Sequence, residues 1–284
     1  MYTNISDRNG RALEYIVSIQ LSKLKGYSLT NRAILLNERD KDKFVSLPTE
    51  LASSYIKSAE KISNWVGSLF FANDNVNIDR LEDNPDDPSD LILFSKNSKI
   101  SISLKHNHEA LKHPRPYSFA QACGFAKYSF EDKQHRVRMT LASNNFRNSA
   151  SGKQLFSQCS PSVIGKLYFD VCKSCEDSLN DWMSSNQGSA NKLFDFLVSN
   201  GFYKIIVETR SSVQVKVQDY LNISQPSSVT TSVKGNRLLL AFNNNWTLNL
   251  RIHTAASRIS SSPSQLSLKF DAQKEMGSVR DFII

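Results

Sequence analysis

Two short apolar segments joined by a polar turn constrain the fold of this chain more than any other feature. Residues 90–94 are Asp-Leu-Ile-Leu-Phe, residues 100–105 are Ile-Ser-Ile-Ser-Leu-Lys, and the residues between them are Ser-Lys-Asn-Ser-Lys. Two strand-like segments around such a turn predict a β-hairpin. In the second segment the isoleucines and the leucine face one side, while the serines and Lys105 face the other. The chain must therefore form a sheet in which Lys105 ends one strand on the polar face.

The register of this hairpin decides which side chains meet. A turn of about five residues places Asp90 opposite either Leu104 or Lys105. In the second register Asp90 and Lys105 share a face, with their backbones within about 5.5 Å. A carboxylate and an ammonium then meet at one edge of the sheet. The alternative is an exposed salt bridge, which is common and contributes little stability.

The rest of the chain combines helical and strand-like segments. Helical periodicity predicts helices over residues 10–25, 49–66, 117–128, 162–183 and 189–199. Apolar runs predict strands over 203–208 and 213–217 and a second hairpin over 237–242 and 246–253, while the Ser-rich stretches 224–232 and 257–265 predict loops. We expect an α/β fold in a single domain of 284 residues, with an α/β core over 1–215 and a β-rich C-terminal portion over 216–284.

Charge is distributed unevenly along the chain. There are 35 Lys and Arg against 27 Asp and Glu, which gives a formal net charge of +8. Residues 74–90 contain seven acids and one arginine, whereas residues 105–153 contain nine Lys or Arg and three acids. Carboxylates bind divalent cations and basic groups bind polyanions, so this order favours a metal-dependent enzyme that acts on phosphates. The alternative is two solvated surface patches of opposite sign.

Some classes of protein are disfavoured by what the sequence lacks. A run of about 18 apolar residues is absent, which argues against a membrane-spanning helix. The first residues do not combine a basic start with an apolar stretch, so they do not resemble a secretory signal. We therefore expect a cytoplasmic protein whose four cysteines are reduced.

The hairpin resembles the active-site motif of the PD-(D/E)xK nucleases. Its first half contains Pro-Ser-Asp90, and its second half contains Ser-Leu-Lys105. More narrowly, ISLKHNHEALKHPRP over residues 102–116 resembles the HaeIII-like type II restriction endonucleases, and LNLRIHTAASR over residues 248–258 is similar to a stretch that such enzymes carry. The resemblance implies a restriction-endonuclease-like mixed sheet flanked by helices, Mg²⁺ dependence, and hydrolysis of double-stranded DNA at a short palindromic site, which is GGCC for this family.

The resemblance also assigns roles to individual residues. It makes Asp90 a catalytic acid that binds the metal and Lys105 the catalytic lysine, with the backbone carbonyl of Leu104 as a further metal ligand. Ser103 departs from the pattern, because it stands where the motif has Asp or Glu. A hydroxyl cannot replace a carboxylate, so the second acid must come from elsewhere or be replaced by water.

Two acids can supply the missing carboxylate. Glu14 is the first candidate, both as a catalytic residue and as a metal ligand, because it lies among apolar residues of a predicted helix. Nuclease sites of the resembled kind often take one acid from an early helix packed under the sheet. Asp87 is the second candidate, in a proline-bent loop just before Asp90. The alternatives are an exposed helix glutamate and a solvated loop acid.

Polar and basic side chains after the hairpin and in the C-terminal stretch are candidates for contacts with DNA. Arginine reads guanine through two parallel hydrogen bonds, while other polar side chains contact phosphates or base edges. The candidates are His106, Asn107, His108, Lys112, His113, Arg115, Gln121, Arg251, His253 and Arg258. The alternative for these residues is solvation of the surface, and for Gln121 an ordinary helix position. The three histidines after Lys105 do not have the spacing of a structural zinc site.

These residues favour a cytoplasmic, Mg²⁺-dependent type II restriction endonuclease. Because a palindromic site has two-fold symmetry, a homodimer is the simple expectation. Two alternatives stay open. One is another PD-(D/E)xK nuclease, such as a repair or junction enzyme. The other is a catalytically inactive nucleic-acid-binding protein, which Ser103 favours.

Overall fold

The chain divides into two compact units. The fold was obtained as a computed structural model, which describes residues 5–70, 74–82, 88–108, 111–185, 188–210, 212–261 and 265–284. The first unit comprises Met1–Glu109, Ser199–Ile223 and Val279–Ile284, and the second unit comprises Ala110–Val198 and Ser224–Ser278. The units therefore alternate along the sequence.

Helices and strands follow one another in both units. The α-helices are α1 (Ile5–Leu21), α2 (Asn31–Val45), α3 (Thr49–Gly67), α4 (Phe119–Ala122), α5 (Phe130–Ser149), α6 (Pro161–Ser185) and α7 (Gly188–Val198), with short 3-10 turns at Pro116–Ser118 and Phe156–Gln158. The strands are β1 (Tyr27–Leu29), β2 (Val76–Arg80), β3 (Leu91–Phe94), β4 (Lys99–His106), β5 (Tyr203–Glu208), β6 (Gln214–Asp219), β7 (Val229–Lys234), β8 (Arg237–Phe242), β9 (Trp246–Thr254), β10 (Leu268–Met276) and β11 (Arg280–Ile283).

Among the described residues, each unit contains one β-sheet. In the first unit seven strands pair in the order β1-β2-β3-β4-β5-β6-β11. This sheet is mixed, because β1 pairs with β2 and β4 pairs with β5 in parallel, while the other neighbours are antiparallel. In the second unit four antiparallel strands pair in the order β10-β9-β8-β7. The expected α/β class, with a mixed sheet and a β-rich C-terminal portion, is confirmed.

Helix α1 packs against β2 and β4 with a continuous apolar side. Leu13, Val17 and Leu21 are spaced by one helical turn and are completely buried in the core of the first unit. Burial of each such side chain contributes roughly 1.5–3 kcal/mol. The helix begins at Ile5, earlier than the predicted start at residue 10. Its packing brings the side that also carries Glu14 against the sheet.

Helix α2 differs from the sequence-based expectation, which contained no helix there. Its sequence is rich in charged residues, so the segment as a whole is polar and was not recognised as a helix. Local capping stabilises its start, because the Thr30 side chain accepts a hydrogen bond from the Ala33 N–H at 3.1 Å. The polar residues Asn37 and Asp40 are buried on this helix, and they contribute to the site described below.

Two predicted segments also differ from the structure, and the sequence-based expectation did not contain α5, β1, β2, β10 or β11. The helix predicted over 117–128 is reduced to a 3-10 turn and the short α4, because the chain turns at Gly124 with a φ of 87°. The predicted loop over 224–232 contains the start of β7, an edge strand whose threonines and serines give no apolar signal. The expected boundary between 215 and 216 falls inside β6, so the β-rich C-terminal portion supplies strands to both units.

Most long helices and both hairpins agree with expectation. The predicted helices over 49–66, 162–183 and 189–199 are confirmed as α3, α6 and α7, and the hairpins as β3–β4 and β8–β9. On α6, Cys172 and Cys175 are buried free thiols. No helix in the described part of the chain combines the length and the apolarity needed to cross a membrane.

Candidate active site

The pairing of β3 with β4 fixes the position of Asp90. Leu91 lies opposite Ile102, so the backbone of Asp90 aligns with Ser103. The Asp90 N–H donates to the Ile102 carbonyl at 2.8 Å, which extends the ladder by one residue. The predicted alignment of Asp90 with one of the two residues after Ser103 is therefore wrong. The strands pair up to Phe94, which makes the turn shorter than expected.

The Asp90 carboxylate is nevertheless held by the end of β4. Its Oδ2 accepts hydrogen bonds from the Leu104 N–H at 2.6 Å, the Ser103 Oγ at 3.3 Å and the Lys105 Nζ at 3.4 Å. The Asp90 side chain is 15% exposed and the Lys105 side chain 34%. The structure thus brings together the two residues on which the sequence analysis depended most. An accessible ammonium lies beside a mostly buried acid.

Burial determines how readily this acid ionises. Because little water reaches the carboxylate, burial raises the pKa of Asp90 above its ordinary value. The charge of Lys105 and the hydrogen bond from the Leu104 N–H lower the pKa, but they do not offset burial. Ser103 also donates to this carboxylate. The serine that replaces the acid of the motif therefore helps to orient Asp90.

Glu14 lies on the buried side of α1. Its Oε2 accepts hydrogen bonds from the Arg80 guanidinium at 2.8 Å and from the Arg11 guanidinium at 3.1 Å. Burial and the nearby charge of Asp90 raise the pKa of Glu14, whereas the two arginines lower it. The two carboxylates are therefore close enough to repel each other. This placement excludes the alternative of an exposed helix glutamate.

Arg80 is a residue of this site that the sequence analysis missed. It ends β2, and its side chain is 0% exposed. Its Nη2 donates to Glu14 Oε2 at 2.8 Å and to Asp40 Oδ2 at 2.9 Å, and its Nη1 donates to Asn37 Oδ1 at 2.9 Å. Two carboxylates and an amide thus compensate for burying the guanidinium. The available signal was its position as the single basic residue of the acidic run 74–90.

The residues that follow Lys105 are hydrogen-bonded to the end of β5. Asn107 Oδ1 accepts a hydrogen bond from the Thr209 N–H at 2.9 Å, and Asn107 Nδ2 donates to Thr209 Oγ1 at 3.1 Å. His106 Nε2 lies 2.9 Å from the same hydroxyl. The polar side-chain atoms of His106 and Asn107 were expected to contact DNA. They instead form the joint between β4 and β5, that is, the hydrogen bonds that link the ends of these two strands.

The surroundings of His106 favour its neutral form. Its ring packs edge-on against the Tyr55 ring, with 5.2 Å between the centroids. Burial and the charge of Arg210 lower the pKa of His106. His108 is exposed, as a side chain that contacts DNA must be. Asp87, the second acid considered as a metal ligand, lies outside the described residues.

Three of the expected DNA contacts meet in the second unit, around an acid that the sequence analysis did not single out. Asp271 Oδ2 lies 3.0 Å from His253 Nε2 and 3.3 Å from Arg251 Nη2. Asp271 Oδ1 lies 3.2 Å from His113 Nδ1, and Lys269 Nζ approaches it at 4.0 Å. These residues come from two strands and a loop, so only the fold reveals that they form a cluster.

The other four candidates for DNA contacts in the second unit have partners within that unit. Lys112 lies over the Phe196 ring, Gln121 donates to the Asp132 carboxylate, Arg115 donates to the Leu268 carbonyl, and Arg258 pairs with Leu155 across a β-bridge. Gln121 and Lys105 belong to different units. The contacts of the first three side chains account for their positions without a ligand, whereas the bridge of Arg258 involves its backbone and the residue is exposed.

Asp90 and Glu14 supply carboxylate oxygens of the kind that suits Mg²⁺. Mg²⁺ is usually held by one or two protein carboxylates, with water and substrate phosphates completing its shell. Among the described residues, no three His, Cys, Asp or Glu side chains converge on a metal position. Leu104, whose carbonyl was expected as a ligand, contacts Asp90 through its N–H. The residues fit a site with two acids in which Arg80 also binds Glu14.

Comparison with known proteins adds no family assignment. The chain matches no protein-family model, and no curated protein is detectably similar to it in sequence. The likeness to HaeIII-like enzymes therefore depends on the motif residues themselves.

Proposed function

We propose that this protein is a Mg²⁺-dependent type II restriction endonuclease of the PD-(D/E)xK superfamily. Its substrate is double-stranded DNA, cut at a short palindromic site for which GGCC is the candidate. The observation that carries the proposal is the contact between Asp90 and Lys105 at the end of β4. A buried acid beside an accessible lysine, with Glu14 close by, is suited to metal-assisted hydrolysis of a phosphodiester.

The fold is compatible with this proposal. The first unit has a mixed sheet against which α1 and α3 pack, and the hairpin that carries Asp90 lies in the middle of the strand order. A restriction-endonuclease-like core requires such a sheet flanked by helices. The central position also places the candidate site on rigid elements, and rigid placement is what keeps catalytic groups in productive geometry.

The proposed mechanism assigns a separate role to each side chain. Asp90 and Glu14 would hold Mg²⁺, which supplies positive charge to the phosphate oxygens in the transition state. Lys105 orients a water whose oxygen attacks phosphorus in line with the leaving ester oxygen, so that a P–O bond to water forms as the ester P–O bond breaks. The attacking water releases its proton to solvent, and the leaving oxygen takes up a proton from solvent. Ser103 and the Leu104 N–H keep Asp90 in position during this step.

Cleavage of phage DNA in the presence of Mg²⁺ tests the proposal. Discrete bands are expected, and a smear would point to a general repair or junction nuclease. Asp90→Ala and Lys105→Ala should each lower cleavage about 10³-fold or more, because the first removes a ligand of the metal and the second removes the group that orients the attacking water. Lys99→Ala, on the same strand but exposed at its other end, is the matched control and should cleave normally. Wild-type turnover by either site variant would contradict the assignment.

Mapping the cut ends of a plasmid of known sequence tests the narrower assignment. Cuts at GGCC would support the HaeIII-like specificity, whereas cuts at another palindrome would leave the nuclease assignment intact. Sedimentation on a duplex that contains the site tests the proposed homodimer. Glu14→Gln should abolish cleavage, and normal cleavage by this variant would move the role of second acid to Asp87.

One second candidate is favoured by specific observations. Ser103 replaces an acid of the motif, and Arg80 already neutralises part of the charge of Glu14. A site weakened in this way belongs to a DNA-binding protein that has lost catalysis. Such a protein would bind duplex DNA but leave it intact with Mg²⁺, Mn²⁺ or any other divalent cation.

A further inference from the structure

The second unit carries a basic surface on the solvent side of its sheet. Buried and accessible residues alternate over residues 250–253 of β9 and 268–271 of β10, and the apolar residues Ile252 and Phe270 are completely buried. Helix α6 packs against this sheet. The intervening residues therefore face the opposite side. They are Arg251 and His253 on β9 and Lys269 and Asp271 on β10.

The strand register makes this surface a compact group. Arg251 lies directly opposite Asp271, and His253 directly opposite Lys269. Directly paired residues on one face have Cβ atoms about 4.5–5.5 Å apart, so the four side chains are neighbours. Arg237 of β8 lies opposite Arg251 and extends the same row.

A loop segment that runs beside β10 completes the group at the edge of the sheet. The Leu111 N–H donates to the Ala272 carbonyl at 3.4 Å, and the Phe270 N–H donates to the Pro114 carbonyl at 3.0 Å. The segment between these bonds therefore runs beside β10. It places the His113 ring against Asp271, with 3.2 Å between Nδ1 and Oδ1.

The group contains more hydrogen-bond donors than its single acid can accept. Asp271 has two oxygens, and Arg251, His253, His113 and Lys269 are all within 4.0 Å of one of them. A guanidinium has five donors and an ammonium three, so most donors remain for a ligand. The Arg251 side chain is 47% exposed and the Lys269 side chain 34%. A ligand with several oxygen acceptors and a negative charge matches this surface.

We propose that this sheet face binds the phosphate backbone of duplex DNA, independently of sequence, and that Asp271 fixes its basic side chains in place. Arg251 donates a hydrogen bond from its Nη2 to Asp271. This nitrogen is therefore not available for the two parallel hydrogen bonds through which an arginine reads guanine. Phosphate contact needs only one or two donors per oxygen. The inference depends on the proposed function only for the choice of DNA as the polyanion.

Binding without metal separates this inference from catalysis. The probe is a fluorescent duplex of about 20 base pairs, with or without GGCC, titrated in EDTA. Arg251→Ala combined with Lys269→Ala should weaken binding about tenfold to both duplexes and reduce the slope of log affinity against log salt by about 1 to 2. Lys166→Ala, an exposed lysine of the same unit on α6, is the control and should bind like wild type.

A charge-matched pair of variants tests the role of the acid. Asp271→Asn and Asp281→Asn raise the net charge equally, but Asp281 lies on β11 of the first unit, paired with Lys216. Asp271→Asn should strengthen binding roughly two- to fivefold beyond Asp281→Asn, because it removes repulsion at the phosphate position while keeping an oxygen acceptor.

The outcomes distinguish the two proposals. Equal binding by wild type and the Arg251/Lys269 double variant would overturn the inference, even if the protein cuts DNA. A loss confined to the GGCC duplex would also overturn it, because it would show base reading. If the double variant loses affinity for both duplexes while no DNA is ever cut, the phosphate surface stands and the nuclease proposal fails. Urea unfolding of each variant verifies that the unit still folds.

Discussion

The two units differ in where their charged side chains lie. In the first unit Arg80 and Asp40 are 0% exposed and Glu14 is 8% exposed, and each is paired with an opposite charge. In the second unit the basic side chains around Asp271 are 31% to 47% exposed and outnumber it. Burial strengthens electrostatic interactions and perturbs pKa values, which suits chemistry on a few atoms. Exposed charge suits attraction of a long polyanion whose bases are not read.

The largest expected effect tests whether the ion pairs of the first unit are truly buried. Arg80→Met should lower the free energy of unfolding by about 3–5 kcal/mol, because Glu14 and Asp40 lose their shared partner inside the core. Arg251→Met in the second unit should change it by less than about 1 kcal/mol, because that pair is exposed to water. Urea denaturation measures both.

A second variant distinguishes uncompensated charge from lost packing as the cause of the instability of Arg80→Met. Neutralising all three groups at once, with Glu14→Gln, Asp40→Asn and Arg80→Met, should recover much of the stability that Arg80→Met loses. Recovery would show that uncompensated charge, not lost packing, causes the loss. Equal instability of the single and triple variants would contradict the electrostatic explanation.

The next effect concerns the joint between β4 and β5. Asn107→Ala should lower stability by about 1–2 kcal/mol, because the bonds to Thr209 are lost and alanine is disfavoured at a φ of 53°. Asn107→Gly tolerates that φ and should lose only the part due to hydrogen bonds. Both variants should bind DNA normally. If either variant loses DNA affinity while its stability is unchanged, Asn107 contacts DNA directly, as the sequence predicted.

A smaller effect of opposite sign is expected at Asp90. Its raised pKa means that the ionised form destabilises the folded state, so Asp90→Asn should stabilise the protein by on the order of 1 kcal/mol near neutral pH. The folded state takes up the proton more readily than the unfolded chain. The gain should therefore shrink as the pH falls through the raised pKa towards about 4.

Asp79 supplies the control for this pH dependence. Burial raises the pKa of Asp79, but hydrogen bonds from Arg32 and Thr30 outweigh it and lower the pKa overall. Asp79→Asn should therefore destabilise the protein at neutral pH, and this loss should persist at about pH 4.5, where the gain from Asp90→Asn has diminished. Urea midpoints of the two variants that move in the same direction would refute the opposite pKa shifts of Asp90 and Asp79.

The smallest effect concerns the pH dependence of DNA binding by the second unit. Burial lowers the pKa of His113, with Lys269 and His253 adding repulsion and Asp271 opposing both. His113 is therefore neutral at neutral pH and gains charge only below about pH 6.5. Affinity for DNA should rise roughly two- to threefold as the pH falls to about 5.5, and His113→Gln should flatten this rise. If His108→Gln flattens it instead, the titrating group lies in the first unit.

The sequence predicted those parts of the site that depend on local alternation. The strands on both sides of the turn and the meeting of Asp90 with Lys105 follow from a period of two and a short connection. The register was wrong because it depends on where the ladder stops near Phe94, which composition does not encode. The alternation of the sequence thus predicted that Asp90 and Lys105 lie together, but not which residues of β3 and β4 are paired.

The sequence could not predict the residues whose partners are remote. Arg80 donates a hydrogen bond to Asp40 on α2. This helix was not predicted, because its sequence is rich in charged residues. Asp271 gathers side chains from two strands and from the loop that holds His113. Such clusters depend on tertiary contacts between segments far apart in the chain.

The parallel pairing of β4 with β5 has a consequence for the order in which the candidate site is assembled during synthesis. Lys105 lies beside Ile206, roughly 100 residues later in the chain, and most of the second unit is encoded between them. Closing such a long loop is entropically expensive and makes folding slow. We expect the nascent segment that contains Glu14, Asp90 and Lys105 to remain without its β5 neighbour until that later segment has emerged from the ribosome. The candidate site would then be completed only after the segment that contains β5 has been synthesised.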